Sequence, residues 1–424
     1  MSISKIQVIA FLLFVIAISH TFVTSFFEKL SHKRKHSHPN LAKFYHLLSE
    51  VEVVFGIYGF LLFIAMLLVE DLSFFKVYFN NLKFTEPKFV FAMMLMSGTS
   101  PILSVSKNIL IKISNLLPFD QRKSFFFVVM TLGPLLGSFI TEPAAMTVTA
   151  LILYETFYQE TLTKNFKFGL LALLLVNISI GGTLTSFAAP PVVMVAHAWA
   201  LDSKMLLLNL GYKAIMAILI SNFIFSLMFK SDLKGIFKGH VAKKEVPKGI
   251  IFTNLIFLAL LVLVSHVDDL IILILILFLG FYMIYKEHFD DLKIKESLMV
   301  GFFLSSLIFI GNIQSFWIKE VIHSLNDFGL FVGATLLTGI TDNALLTYLG
   351  SLSPMTESMK WSLLAGAVTG GGLTVIANAP NLIAVSLFKD KFIPEGVNPV
   401  KLLIAALIPT LVTFLCFYFL PSLF

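Results

Sequence analysis

Apolar stretches long enough to cross a bilayer recur along almost the whole chain, and no segment of soluble-domain composition separates them. They lie near residues 5–27, 49–69, 89–113, 168–200, 206–228, 251–267, 269–285, 297–317, 361–388 and 400–420. A spanning helix needs roughly 17–25 mostly apolar residues, and inside lipid every backbone amide and carbonyl must be satisfied by protein. Together these constraints predict an all-α polytopic membrane protein. Only 13% of the 424 residues are charged, against about 25% in soluble domains.

Two more apolar stretches, 124–158 and 327–354, are interrupted at their middles by "TEP" and "TDN". Each is either a kinked span or a pair of half-helices that enters and leaves on one side. The basic loops arbitrate, because lysine and arginine collect on the cytoplasmic side. With two re-entrant hairpins, the basic groups within 29–43, 112–167, 230–248, 286–295 and 389–401 all share that side. With two full spans, the lysine-rich 229–250 loop would lie opposite the basic 28–43 loop. The expectation is therefore ten spans and two hairpins, with both termini outside. Residues 1–25 also read as a secretory signal peptide, but this topology needs 5–27 as a retained span. No organelle transit pattern precedes it, which points to a bacterial inner membrane.

The formal charge of +6 is held in these loops, so it implies contact with membrane lipid and no nucleic acid. The run "KLSHKRKHSH" suits an anionic lipid surface. A lone Cys416 excludes a disulfide framework and a cysteine metal cluster.

The two halves resemble each other where their helices break. "TEPAA" from Thr141 matches "TDNAL" from Thr341, and "GGTLTSFAAPPVVMV" from Gly181 matches "GGGLTVIANAPNLIA" from Gly370. The division expected is a first inverted repeat over 1–229, with hairpin 124–158 and broken span 168–200. A cytoplasmic linker follows over 230–250. The second inverted repeat covers 251–424, with hairpin 327–354 and broken span 361–388. Inverted repeats with helices broken at mid-membrane are a secondary-transporter architecture, because unwound backbone there can coordinate an ion.

Glu142 and Asp342 occupy matching positions at the hairpin tips. An intramembrane carboxylate costs about 2.5–3.5 kcal/mol on insertion scales and by default marks function. The structural alternative is that each acid caps the half-helix that follows it. Thr141, Thr183, Thr185, Thr341 and Thr374 add hydroxyl oxygens, and Asn343 and Asn378 add amide oxygens. Such oxygens suit a hard cation such as Na+, although isolated Thr and Asn in membrane helices also bond to backbone. Gly181, Gly182 and Gly370 to Gly372 permit unwinding, and Pro190, Pro191 and Pro380 mark where helix resumes. His46, Glu50 and Glu52 at the inner end of the second span, with His20 and His197, are candidates for a proton path. The alternatives are a solvated interfacial cluster for the first three and packed histidines for the others.

At "TEPAAMT", "GGTLTSFAAPPVVMVAHAW", "TDNALLTYLG", "GGGLTVIANAPNLIA" and "HLLSEVEVVFG" the chain resembles a sodium/proton antiporter family of the ion transporter superfamily. That resemblance implies two five-span repeats with hairpins, ion sites at hairpin tips and broken-helix loops, a homodimer and elevator-like movement. The superfamily also holds dicarboxylate/sodium symporters. Their hairpin tips are neutral at the position taken here by Glu142 or Asp342.

The function expected is exchange of a monovalent cation, Na+ first, for H+. A carboxyl group withdrawn from water can trade a proton near neutral pH, so one site can carry either ion and no cofactor is called for. Asp342, beside Asn343, stands first as the exchanging group, and Glu142 second or as its partner. Symport of a small organic anion is the alternative, and it lacks an arginine within any span, since Arg34 and Arg122 lie in loops. A membrane enzyme finds no Ser-His-Asp, HExxH or paired-Asp pattern, and a channel does not explain two related broken sites.

Overall fold

A computed structural model describes residues 4–21, 23–35, 37–117, 120–159, 162–234, 246–392 and 396–423, without the side chains of Ser25, Val51, Glu52 and Gln159. Most of the 230–250 segment therefore lies outside the described residues. The described residues form helices and no strand. Among the described residues, five helices are long and apolar enough to cross a membrane alone, and up to eight spans result if each bent pair is one span.

Eight helices build the centre. α1 (Gln121–Ile140) and α2 (Glu142–Glu155) meet at Thr141, and α3 (Lys164–Gly181) is followed by a tight turn, Gly182–Leu184, and then by α4 (Pro190–Ala196). In the second half, α5 (Asp327–Thr338), α6 (Asn343–Ser351), α7 (Glu357–Gly370) and α8 (Ala379–Phe388) follow the same order. Their ends have local causes. Proline stands in the first turn of α2, α4 and α8, where its missing N–H is no loss. Thr163, Asn326 and Thr356 accept a backbone N–H at the starts of α3, α5 and α7, worth about 1 kcal/mol each.

α3 is apolar all round, and its residues from Leu170 to Gly181 are buried, as expected of a helix enclosed by others. It packs on α1, α7 and the helices Tyr212–Met228 and Pro399–Phe419. Within each half the first hairpin arm packs on the helix before the break: α1 on α3, and α5 on α7. Glycine makes this close. A Cβ on Gly181 would lie 2.5 Å from the Pro134 carbonyl oxygen, and one on Gly370 would lie 2.3 Å from that of Thr335. Between halves the packing is exchanged, with α2 on α8 and α6 on α4. Each hairpin tip is therefore brought to the break of the other half.

The apolar stretch 89–113 is not one continuous helix. Thr85–Ser97 and Ser100–Ser114 are bent by 66° about Gly98 and Thr99. Pro101 starts the second piece, and the amide of Asn254 donates to the Thr99 hydroxyl at 2.8 Å.

Candidate cation site

The site begins at Thr141, the single residue between α1 and α2. Its φ of 75° and ψ of 151° place it in a region that side chains rarely adopt, at a cost of order 1–3 kcal/mol. This sharp turn sends the next side chain, Glu142, into the protein. Glu142 is fully buried and makes no capping hydrogen bond to α2. Instead its Oε2 accepts from the Asn378 amide at 2.9 Å. Its Oε1 has no hydrogen-bond partner among the described residues. Only glycine fits beside it, since a Cβ on Gly182 would lie 2.6 Å from Oε1.

Asn378 is the last residue before α8 and is extended; its side chain does not cap α8. Both α2 and α8 thus begin at the Glu142–Asn378 pair, and helix N-termini favour negative charge. Asn343 joins from the second tip, its backbone N–H donating to the Ala377 carbonyl at 3.1 Å. Its side chain is fully buried, and among the described residues neither amide atom has a hydrogen-bond partner. The Asn378 Oδ1 is likewise without one. An unpartnered buried polar group costs about 1–3 kcal/mol. Carboxylate and amide oxygens left open together suit a hard cation. Among the described residues no group of three or more His, Cys, Asp or Glu could hold a metal ion.

Asp342 is placed differently. It is the N-cap of α6, and its Oδ1 accepts from the N–H groups of Ala344 at 2.8 Å and Leu345 at 3.2 Å. The capping alternative therefore describes Asp342 and does not describe Glu142. The threonines mostly donate to backbone: Thr183 to Ile180 O, Thr185 to Ser138 O, Thr341 to Leu337 O and Thr374 to Gly339 O. Thr185 and Thr374 thereby hold the breaks to the hairpins, while Thr183 and Thr341 bond within their own segments. Thr141 Oγ1 lies 3.3 Å from Ser97 Oγ, at the bend in the 85–114 segment.

Ser97, Ser138 and Asn381 are absent from the residues picked by sequence. Ser138 Oγ donates to Gly181 O at 2.7 Å and accepts from Leu184 N at 2.9 Å. Asn381 Nδ2 reaches both Gly371 O and Thr374 O. A lone polar residue in an apolar run was the available signal for each.

Two cavities reach the broken segments. One, of about 490 Å³, is lined by Glu50, Gly98, Lys293 and Lys295 and ends on Pro143, Ala144, Ala379 and Pro380. The other, of about 550 Å³, is lined by Lys83, Glu86, His197, Asp202 and His266 and reaches Ser186 and Phe187. His46 Nε2 lies 3.5 Å from Glu50 Oε1 at the mouth of the first. The side chain of Glu52 lies outside the described residues. His197 is exposed in the second cavity, whereas His20 is packed between Tyr58 OH and Leu48 O.

A fully buried carboxylate with one oxygen open calls for comparison with ion carriers. Residues 5–420 match the family described as "Putative Na+/H+ antiporter". The chain belongs to that family. No curated protein matches it. Membership in this antiporter family makes the protein an integral membrane transporter and agrees with the oxygen-rich chemistry at Glu142.

The strained turn gives one prediction. Thr141→Gly removes the φ penalty and the Ser97 contact together. The variant is expected to melt higher than the parent, by the order of 1 kcal/mol, yet to exchange ions more slowly. A thermal melt in detergent beside a transport assay checks both halves.

Proposed function

We propose that the protein exchanges a monovalent cation, Na+ first, for H+ by alternating access. Glu142 is the exchanging group, and Asn378 and Asn343 supply further oxygens. One observation carries this: a wholly buried carboxylate holds one oxygen on an amide of the opposite half and leaves the other open. Protonated, the group is neutral; ionised, it binds a cation and is neutralised again. Moving the bare charge would cost far more, so the carrier crosses loaded.

In this account residues 1–229 and 251–424 are inverted repeats, and 124–158 and 327–354 are re-entrant hairpins. The exchanged packing of α2 on α8 and α6 on α4 supports that arrangement. The cavity lined by Glu50, Lys293 and Lys295 is then the cytoplasmic approach, and the one lined by His197 and His266 the outer approach, in a bacterial inner membrane. Asp342 serves as the cap of α6, with Thr141, Thr183, Thr185, Thr341 and Thr374 holding the frame.

Purified protein in liposomes with a trapped pH dye tests the assignment. Addition of Na+ or Li+ outside a proton-loaded vesicle is expected to drive proton efflux. Asn378→Ala is expected to raise the half-saturating Na+ concentration about 10-fold, the scale of one lost hydrogen bond to a charged group. No proton movement with Na+, Li+ or K+ would contradict the proposal.

A further inference from the structure

The two hairpin tips match in sequence but not in chemistry. Glu142 is the first residue of α2 and reaches across to Asn378, whereas Asp342 stands one residue earlier relative to its helix and is bound by two N–H groups of α6. In the alignment of the two breaks, the counterpart of Asn378 is Ala189, which offers no amide. The first break therefore lacks an amide side chain at the position that Asn378 holds in the second. Of the lysines within the helices, Lys107 pairs with Glu155 at 2.8 Å and Lys213 donates to the Phe417 carbonyl at 3.3 Å.

From this inequivalence we infer that the carrier moves one cation against one proton and is electroneutral. The inference rests on the exchange proposed at Glu142. Its balance is simple. The carboxylic acid releases H+ as its oxygen takes up Na+, and both loaded forms have zero charge at Glu142. In this cycle Asp342 stays in place as the cap of α6 and exchanges no proton. No net charge crosses in either direction, so membrane potential does no work on the cycle.

The test is 22Na+ distribution in proteoliposomes with a fixed pH difference of about one unit, at zero potential and at a valinomycin-clamped potential of about 100 mV. The expected result is an accumulation ratio of about 10 under both conditions, since a unit of pH is one tenfold step. A ratio near 100 at zero potential, or one that follows the potential, would overturn the inference, because a second proton would then be moving. Complete absence of exchange would overturn it together with the function proposed above, and is thereby distinguished from a wrong ratio.

Asp342→Asn provides the independent arm. Asparagine caps helices about as well as aspartate, so the fold is expected to persist. Whatever its rate, the variant is expected to give the same ratio at both potentials. A wild-type ratio near 100 that falls to 10 in Asp342→Asn would assign the second proton to Asp342 and refute a single exchanging carboxylate.

Discussion

Glu142→Gln is expected to reduce Na+-driven proton efflux to the level of protein-free liposomes while leaving the fold intact. Glutamine has nearly the same size and keeps an oxygen to accept from Asn378, so the 2.9 Å contact between the halves can be retained. What is lost is the charge and the exchangeable proton. In a site with no solvent exposure, a cation facing only neutral oxygens loses an attraction far stronger than the same charge pair has in water. Burying an amide is also easier than burying an ion, so the melting temperature should equal or exceed that of the parent. A stable variant with full exchange would remove Glu142 from the mechanism. An unfolded one would show that the residue holds the tip together.

The largest stability effect is expected at Gly372. A Cβ there would lie 2.3 Å from Val176 Cα and 2.5 Å from Val176 N. These are backbone atoms of α3, the most enclosed helix, and cannot swing aside as a side-chain end could. Gly372→Ala must push the second break away from α3, at a cost of at least the 1–3 kcal/mol typical of overpacking. That displacement also disturbs the loop carrying Asn378. Gly333 in α5 provides the contrast, with nothing within 4 Å of an added Cβ. Gly333→Ala is expected to be neutral or to stabilise by about 0.4–1 kcal/mol. Thermal melts of both variants in the same detergent check the pair; equal melting temperatures would show that the breaks are loosely packed.

Much of the architecture could be read from particular residues. Gly181 and Gly182 end α3, Pro190 opens α4, Gly370 and Gly371 end α7, and Pro380 lies in the first turn of α8. Such residues announce themselves because they interrupt otherwise uniform apolar runs. The bend at Gly98 and Thr99 did not, since the surrounding Met, Leu and Ile dominate the hydropathy of 89–113 even though Gly98 and Pro101 were visible signals.

At the site, sequence supplied the candidates but not their roles. Asp342 and Asn343 stand out as adjacent polar residues, which put them ahead of Glu142. The distinction lies in helix phase. Asp342 is the residue before its helix and Glu142 the first residue within its own, a one-residue offset that the match of "TEPAA" to "TDNAL" conceals. The Glu142–Asn378 bond joins residues far apart in the chain through the packing of α2 on α8, and no local pattern encodes it. The threonines illustrate the opposite case. Their clustering suggested ligands, whereas four of their hydroxyls donate to backbone carbonyls, and those of Thr185 and Thr374 tie a break to a hairpin.

The central claim is that one carboxyl group holds either a proton or a cation. Proton release measured with a pH dye in weakly buffered detergent solution, as Na+ is titrated into purified protein, tests it most directly. The account predicts release approaching one proton per protein at a pH where the site begins protonated, and none from Glu142→Gln. Saturable Na+ binding without proton release, or the same release from Glu142→Gln, would contradict it.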